Sequence, residues 1–309
     1  MSMPKIKVVG LGGSGVNAVD RMTREGIPGV ELIAVNTDAQ VLKKSRVPRR
    51  ILIGQKITEG LGTGMNPKLG EKAVKENFEE LEKILSGAEM IFLTAGLGGG
   101  TASGGIAVLS EIAKKTGALT VGVVTLPFSF EGVQRQRIAK RALSDLEGRV
   151  DSLLCIPNDK LLKLINQNTP LENAFWLCDG ILREAVKGIS DLVSMPGIIN
   201  VDFADLRGIL GNSGRAFLGQ GVAGGEKRAM AAANMALHSP LLSFSIENSQ
   251  GVLLNIAGGG DLSLSEVNTA ASFIKNIAKS GMKIIFGVSE DPKLEKGAIK
   301  ITLIATSKR

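Results

Sequence analysis

The sequence predicts an α/β protein built as a larger domain with a Rossmann-like parallel sheet, one long connecting helix, and a smaller α/β domain. Three observations carry this. A chain of 309 residues exceeds the comfortable size of one hydrophobic core, so two domains are expected. Through the first half, short apolar runs alternate with amphipathic stretches, the pattern of βαβ units. Residues 171–193 then keep helical apolar spacing without a proline, until Pro196-Gly197 interrupts them as a plausible hinge. The predicted division is therefore 1–170, a central helix and hinge at 171–199, and 200–309.

In chain order, residues 5–10 read as a strand and a helix starts near Gly15. A second strand covers 31–36, and further buried strands cover 90–95, 118–125 and 150–156. Helices are predicted between them at 67–85, 104–116 and 131–146. Beyond the long helix, a short helix at 203–209 precedes strands at 216–222, 251–257, 283–288 and 298–305, with helices at 226–236 and 263–278 among them. No internal repeat or low-complexity linker is visible.

Composition removes several function classes. Apolar residues make up 44% and charged residues 22%, an ordinary balance for a globular protein. The formal net charge of +7 admits a polyanionic partner, but the densest cationic patch, Lys43-Lys44 with Arg46, Arg49 and Arg50, reads as a solvated face. With no Tyr and a single Trp176, there is no aromatic platform for single strands, and no nucleic-acid partner is expected. Cys155 and Cys178 fit reduced core thiols better than a metal motif or a disulfide framework. No window approaches the roughly 18 apolar residues of a membrane helix, and the start enters a strand at once; a cytoplasmic protein without membrane insertion is expected.

The glycines are the outlier, 39 in all and clustered where backbone must turn sharply or approach a ligand. Gly10-Leu11-Gly12-Gly13-Ser14-Gly15 fits G-x-G-x-x-G between a strand and a helix, a phosphate-binding context that is weak alone. Asp38, at the end of the second strand, stands where a Rossmann ribose-binding acid would lie. The run from Gly96 to Gly105 also joins a strand to a helix. Two such loops at parallel strand ends can hold consecutive phosphates from both sides. The Walker pattern is missing.

At these loops the sequence resembles the FtsZ family, the prokaryotic relatives of tubulin. GLGGSGVNAVDRM is similar to the family's first glycine loop, which implies nucleotide contacts at Gly12, Gly13, Ser14, Gly15, Val16 and Asn17. GLGGGTASGG is similar to the GGGTGTG signature, implying contacts at Gly98, Gly99, Gly100, Thr101, Ala102 and Ser103. Ala102 departs from the family's Gly; its Cβ is harmless at negative φ and strained at positive φ. AVNTDAQ and GLGTGMNP resemble two further nucleotide-side loops and implicate Asp38 and Gly64. TLPFSFEGVQRQR matches the segment whose Glu and Arg meet ribose and phosphate, here Glu131 and Arg135, though spacing alone equally allows an i, i+4 salt bridge. IPNDKLL implicates Asn158 in base contact. Phe175 and Asp179 fall where the family stacks and reads guanine, unless they are merely core and solvated.

Asn200-Val201-Asp202-Phe203-Ala204-Asp205 follows the long helix. On spacing alone, Asp202 and Asp205 suit a helix N-terminal cap. The resemblance implies instead a catalytic set of Asn200, Asp202 and Asp205, inserted against the GTP of a neighbouring subunit. It implies a tubulin-like fold and a GTPase that polymerises head-to-tail in cell division at the division site. GTP or GDP is the expected nucleotide. Mg2+ is expected on the phosphates, reached by Asp202 or Asp205 through water rather than ligated directly. The expected partner is the chain itself, with division proteins beside it. The family's linker and tether-binding peptide are not among these residues, and its members are usually acidic. The rivals are a slow-hydrolysing paralogue, to which Ala102 points, and a Rossmann oxidoreductase, which leaves the second loop unexplained. His238, outside every motif, is read as structural.

Overall fold

The computed structural model describes residues 4–162, 169–194, 198–199, 201–242, 246–279, 281–291 and 294–307. The chain divides into two compact units, Met1–Val186 and Lys187–Arg309. The predicted hinge at Pro196-Gly197 and Asn200 lie outside the described residues.

The first unit runs β1 (Ile6–Leu11), α1 (Gly12–Glu25), β2 (Val30–Asn36), α2 (Ala39–Lys44), β3 (Arg49–Leu52), α3 (Gln55–Thr58), α4 (Pro67–Glu76) and α5 (Phe78–Leu85). It continues through β4 (Met90–Gly96), α6 (Gly100–Lys115), β5 (Leu119–Leu126), α7 (Val133–Leu146), β6 (Ser152–Pro157) and α8 (Asn158–Leu161), then enters α9 (Leu171–Ser194). Its strands lie in the order β3-β2-β1-β4-β5-β6, every neighbouring pair parallel. A parallel sheet covered on both faces needs strands that are apolar throughout. β4 is such a strand, buried from Met90 to Ala95, and Ile91, Leu93, Leu11, Ile106 and Leu109 share one cluster.

The unit boundary falls inside α9. The second unit carries α10 (Phe203–Leu210), β7 (Gly214–Gly224), α11 (Arg228–Leu237), β8 (Gly251–Gly258), α12 (Leu264–Ile277), β9 (Lys283–Glu290) and β10 (Ala298–Thr306). The sheet order is β7-β10-β8-β9, with β10 antiparallel to both neighbours and β8 parallel to β9. The buried Arg228 forks from the start of α11 onto Glu266 (2.6 and 3.0 Å) and Asp261 (2.7 Å), tying α11 to α12. These bonds hold the Glu266 carboxyl down to about 2. Val252, Leu254, Ile301 and Leu303 fill the core of this unit.

Several element boundaries differ from the sequence-based expectation. The predicted helix 67–85 is two helices, broken at Asn77. Its side chain is spent elsewhere, accepting from Gly54 N–H at 2.9 Å and donating to Glu80 at 2.8 Å. β3, α2 and α3 are too short to show a periodicity, and none was expected. The helix expected at 131–146 begins at Val133, after a 3-10 turn at Ser129–Glu131. Both helices that follow the glycine loops start earlier than expected, at Gly12 and Gly100. Glycine has low helix propensity, so the sequence conceals a helix's first turn there. No described helix is long and apolar enough to cross a membrane.

Candidate functional site

In the first unit the strand order reverses direction between β1 and β4, and open parallel sheets bind ligands beyond the strand ends at such a point. A cavity lies there. Of the residues singled out in the sequence, Gly12, Gly13, Ser14, Gly99, Gly100, Thr101, Ala102, Glu131, Arg135, Asn158, Phe175 and Asp179 all line it.

One end is made of backbone. α1 leaves β1 with no intervening residue, and α6 opens three residues after β4, so two helix N-termini border the same cavity. Neither has a side-chain cap, and neither carries an acid in its first turn. Side chains cap α2 (Asp38), α4 (Asn66) and α12 (Ser263), while α3, α5, α7, α8, α10 and α11 also start without one; what sets α1 and α6 apart is that both starts border one cavity. Uncapped N–H groups on converging dipoles suit a multiply charged anion. Two glycines permit the geometry. Gly12 has φ +73, and a Cβ there would stand 3.1 Å from that of Ala102. A Cβ on Gly100 would reach Thr63 Oγ1 and stand 2.6 Å from Asn66 N. Ala102 lies inside α6, and the described non-glycine residues at positive φ are only Glu59, Met65 and Asn212. Its Cβ is therefore the harmless case, buried where the two loops touch.

The other end is made of side chains. Phe175 is held edge-on by Phe128, with centroids 5.6 Å apart, yet keeps 37% of its surface exposed. Asp179 is 7% exposed, and burial pushes its carboxyl up to about 6 against the opposing pull of Arg21. The Arg21 guanidinium comes within 3.1 Å of Asp179 but makes no directed hydrogen bond, so the attraction is Coulombic. It also lies over the Trp176 ring at 4.3 Å. Asn158 is 5% exposed, and its Oδ1 has no protein partner. A buried acceptor of this kind is costly unless a ligand donor meets it. Between the ends, Glu131 accepts from Phe128 N–H at 2.9 Å and from Arg135 at 3.4 Å, so the i, i+4 pair exists and also faces the cavity. Burial and Asp179 push the Cys178 thiol up to about 12, which leaves it protonated and unreactive.

Other expected contacts lie off the cavity wall. Ser103 spends its hydroxyl accepting from Gly98 N–H at 2.8 Å, which shapes the loop. Asp38 caps α2, its Oδ1 accepting from Gln40 and Val41 at 2.8 and 3.1 Å. Gly15 and Val16 are buried, Asn17 and Gly64 exposed, and none of the four lines the cavity. Asp202 and Asp205 belong to the second unit. Asp202 occupies the N-cap position of α10 with extended backbone but makes no side-chain cap, and Asp205 pairs with Lys283 at 3.0 Å. Arg21, Thr125, Pro127 and Cys178 were not among the expected site residues; nothing in the pattern separates Arg21 from Arg24, the other arginine of α1.

The domain described as "Tubulin/FtsZ family, GTPase domain" matches residues 5–166, and "FtsZ family, C-terminal domain" matches residues 214–308. The chain belongs to the tubulin/FtsZ family. Among solved structures, an empty dimer of FtsZ from M. jannaschii is 43% identical with a TM-score of 0.95, over 99% of this chain and 89% of that one. CetZ2 of Haloferax volcanii, a GTPγS-bound protofilament, is 24% identical with a TM-score of 0.78, over 99% and 93%. CetZ1 of the same organism, a GDP-bound monomer, is 24% identical with a TM-score of 0.82, over 97% and 93%. These two show the fold alone. All of the cavity lining but Phe175, Cys178 and Asp179 thus lies within the stretch that matches the tubulin/FtsZ GTPase domain.

Proposed function

We propose that this tubulin/FtsZ protein binds GTP in the cavity and hydrolyses it on polymerising head-to-tail, as a cytoplasmic filament of cell division. The observation that carries the nucleotide reading is the pairing of two uncapped helix starts with a buried acceptor set. The helix starts take the phosphates. Phe175 stacks on the base, Asp179 accepts from the N1–H and 2-amino group of guanine, and Asn158 offers a further acceptor. Adenine lacks that donor edge. Glu131 and Arg135 meet ribose and phosphate.

Residues 1–170 form the GTP-binding domain, 171–199 the central helix and hinge that lends Phe175 and Asp179 to the base, and 200–309 bring Asn200, Asp202 and Asp205 against the GTP of the next subunit. An Asp202 that fills the N-cap position without capping supports this division, because the bland role for the acid is not taken up. Exposed apolar side chains support assembly: Leu61 at 80% in a loop, Phe130 at 60% in the 3-10 turn and Val133 at 77% at the start of α7, all in the nucleotide-binding unit. The M. jannaschii relative is itself a dimer.

Among the described residues no cluster of three or more His, Cys, Asp or Glu side chains could hold a metal. Mg2+ would be carried on the phosphates, and Asp202 or Asp205 of the next subunit would hold it through water rather than by direct ligation. Bound there it would offset charge on the transferring phosphoryl group. The protein's share is positioning. Backbone N–H groups fix the phosphates, and the acids orient the attacking water without a general-base histidine.

Light scattering at several protein concentrations with GTP and Mg2+, read together with phosphate release, tests the whole reading. Scattering and turnover should appear together above a critical concentration. Phosphate release linear in protein with no scattering would mean a self-contained site and would remove Asp202 and Asp205 from it. Asp205→Ala should keep GTP binding and assembly and lose most hydrolysis; normal turnover would make the acid a surface pair with Lys283 only.

A further inference from the structure

Three loops at the anion-suited end are joined through hydroxyls. Thr37 follows β2, Thr63 lies between α3 and α4, and Thr101 sits in the first turn of α6. Thr37 Oγ1 is 2.7 Å from Thr101 Oγ1, and Thr63 Oγ1 is 3.2 Å from the same atom. All three residues are buried, and Thr101 borders the cavity.

A threonine hydroxyl donates one proton and can accept two. Two contacts consume two of the three protons. The third can be donated into the cavity only from Thr101, and only when Thr37 and Thr63 both donate to Thr101. That arrangement uses every proton and requires an acceptor in the cavity. A phosphate oxygen, which only accepts, fits it. Hydroxyls polarised in one direction also strengthen the terminal donor.

The neighbouring backbone fixes two of the three members. Thr37 O accepts from Gly62 N–H at 3.2 Å, and Thr63 O accepts from Asn66 N–H at 2.9 Å. Between Thr58 and Asn66, Glu59, Gly60, Gly62, Gly64 and Met65 all have positive φ. Glycine adopts such φ freely, so only Glu59 and Met65 carry strain that their surroundings must hold. The Gly62 and Asn66 hydrogen bonds on either side of Thr63 present it to Thr101.

We propose that Thr37 and Thr63 are positioning residues that turn the Thr101 hydroxyl proton into the cavity, and so strengthen binding of phosphate-bearing guanine nucleotides. This rests on the nucleotide reading above. The relay acts on the phosphate end alone and leaves base recognition untouched.

The test is nucleotide affinity of the full chain for GTP, GDP and guanosine, the last by competition. Thr37→Val and Thr63→Val keep the shape and delete the hydroxyl; Thr37→Ser and Thr63→Ser keep the hydroxyl. Each Val variant should lose about three- to tenfold in GTP and GDP affinity, the worth of one hydrogen bond, with guanosine unchanged. The Ser variants should stay within about twofold of wild type. Equal losses for guanosine would mean a structural role and overturn the relay, as would Val variants that bind GTP normally. Wild-type protein with no affinity for GTP would overturn the nucleotide reading itself.

Discussion

At one end of the cavity the contacts come from backbone, at the other from side chains, and the two ends carry different costs. The N–H groups of α1 and α6 are rigid, and their position depends on what glycine leaves out. Phe175, Asp179 and Asn158 instead hold polar and aromatic groups in partial burial, at the expense of a raised carboxyl pKa and an unpartnered oxygen. The backbone end should be indifferent to pH and intolerant of added atoms. The side-chain end should tolerate shape and respond to charge.

The largest expected effect is at Gly100. A Cβ there stands 2.6 Å from Asn66 N, which is backbone and cannot rotate away. Gly100→Ala should lower stability by about 1–3 kcal/mol and GTP affinity by more than about 100-fold. Gly13 borders the same cavity, but nothing lies within 4 Å of its Cβ position. Gly13→Ala should leave the fold within about 0.5 kcal/mol of wild type. Thermal melts of the two variants check this, and equal melts would break the claim that close approach governs this end.

Asp179→Asn comes next. The amide keeps the shape and replaces one acceptor oxygen by a donor. Guanine preference over adenine should fall about 10- to 100-fold, the range for a hydrogen bond to a charged group. Competition by ATP against labelled GTP measures it. Unchanged preference would move base reading from Asp179 to Asn158.

How far these ends are legible in the sequence follows from the same contrast. Clustered glycines with strand–helix context announced the backbone end, because close backbone approach leaves a compositional trace. Their helix starts were placed too late for the same reason. At the other end, Phe175 and Asp179 look like any residues of an amphipathic helix, and only the family resemblance singled them out. Arg21 left no trace at all, since its role depends on α1 and α9 being neighbours in space. The hydroxyls of Thr37 and Thr63, distant in sequence from Thr101, share that fate. Among the described residues of the second unit, the acid pair was legible as a motif but not as chemistry; the uncapped state of Asp202 is a property of coordinates alone.

A smaller effect is expected from pH. The carboxyl of Asp179 titrates near 6 in the folded protein, against 3.8 for the unperturbed group. Above pH 6 it is ionised and accepts from guanine; below, it is increasingly protonated. GTP affinity should therefore fall about tenfold between pH 7 and pH 5, and Asp179→Asn should flatten the profile. The free protein bears the opposite sign. With its folded value above its unfolded one, the buried carboxylate lowers stability as pH rises from about 4 to 6. A wild-type affinity profile as flat as that of the variant would make Arg21, rather than burial, the dominant influence on this carboxyl.

The smallest effect is expected at Ala102. Ala102 meets Gly12 at the contact of the two loops, and its conformation is helical. Replacing it by glycine removes a buried methyl and adds backbone freedom in the first turn of α6, together costing about 1 kcal/mol of stability. The backbone N–H of this cavity-lining residue is present either way, so GTP affinity and turnover should change by less than about threefold. A large gain in turnover in Ala102→Gly would show that the methyl restrains movement between the loops, and that the backbone end is less rigid than its uncapped helices and close contacts imply.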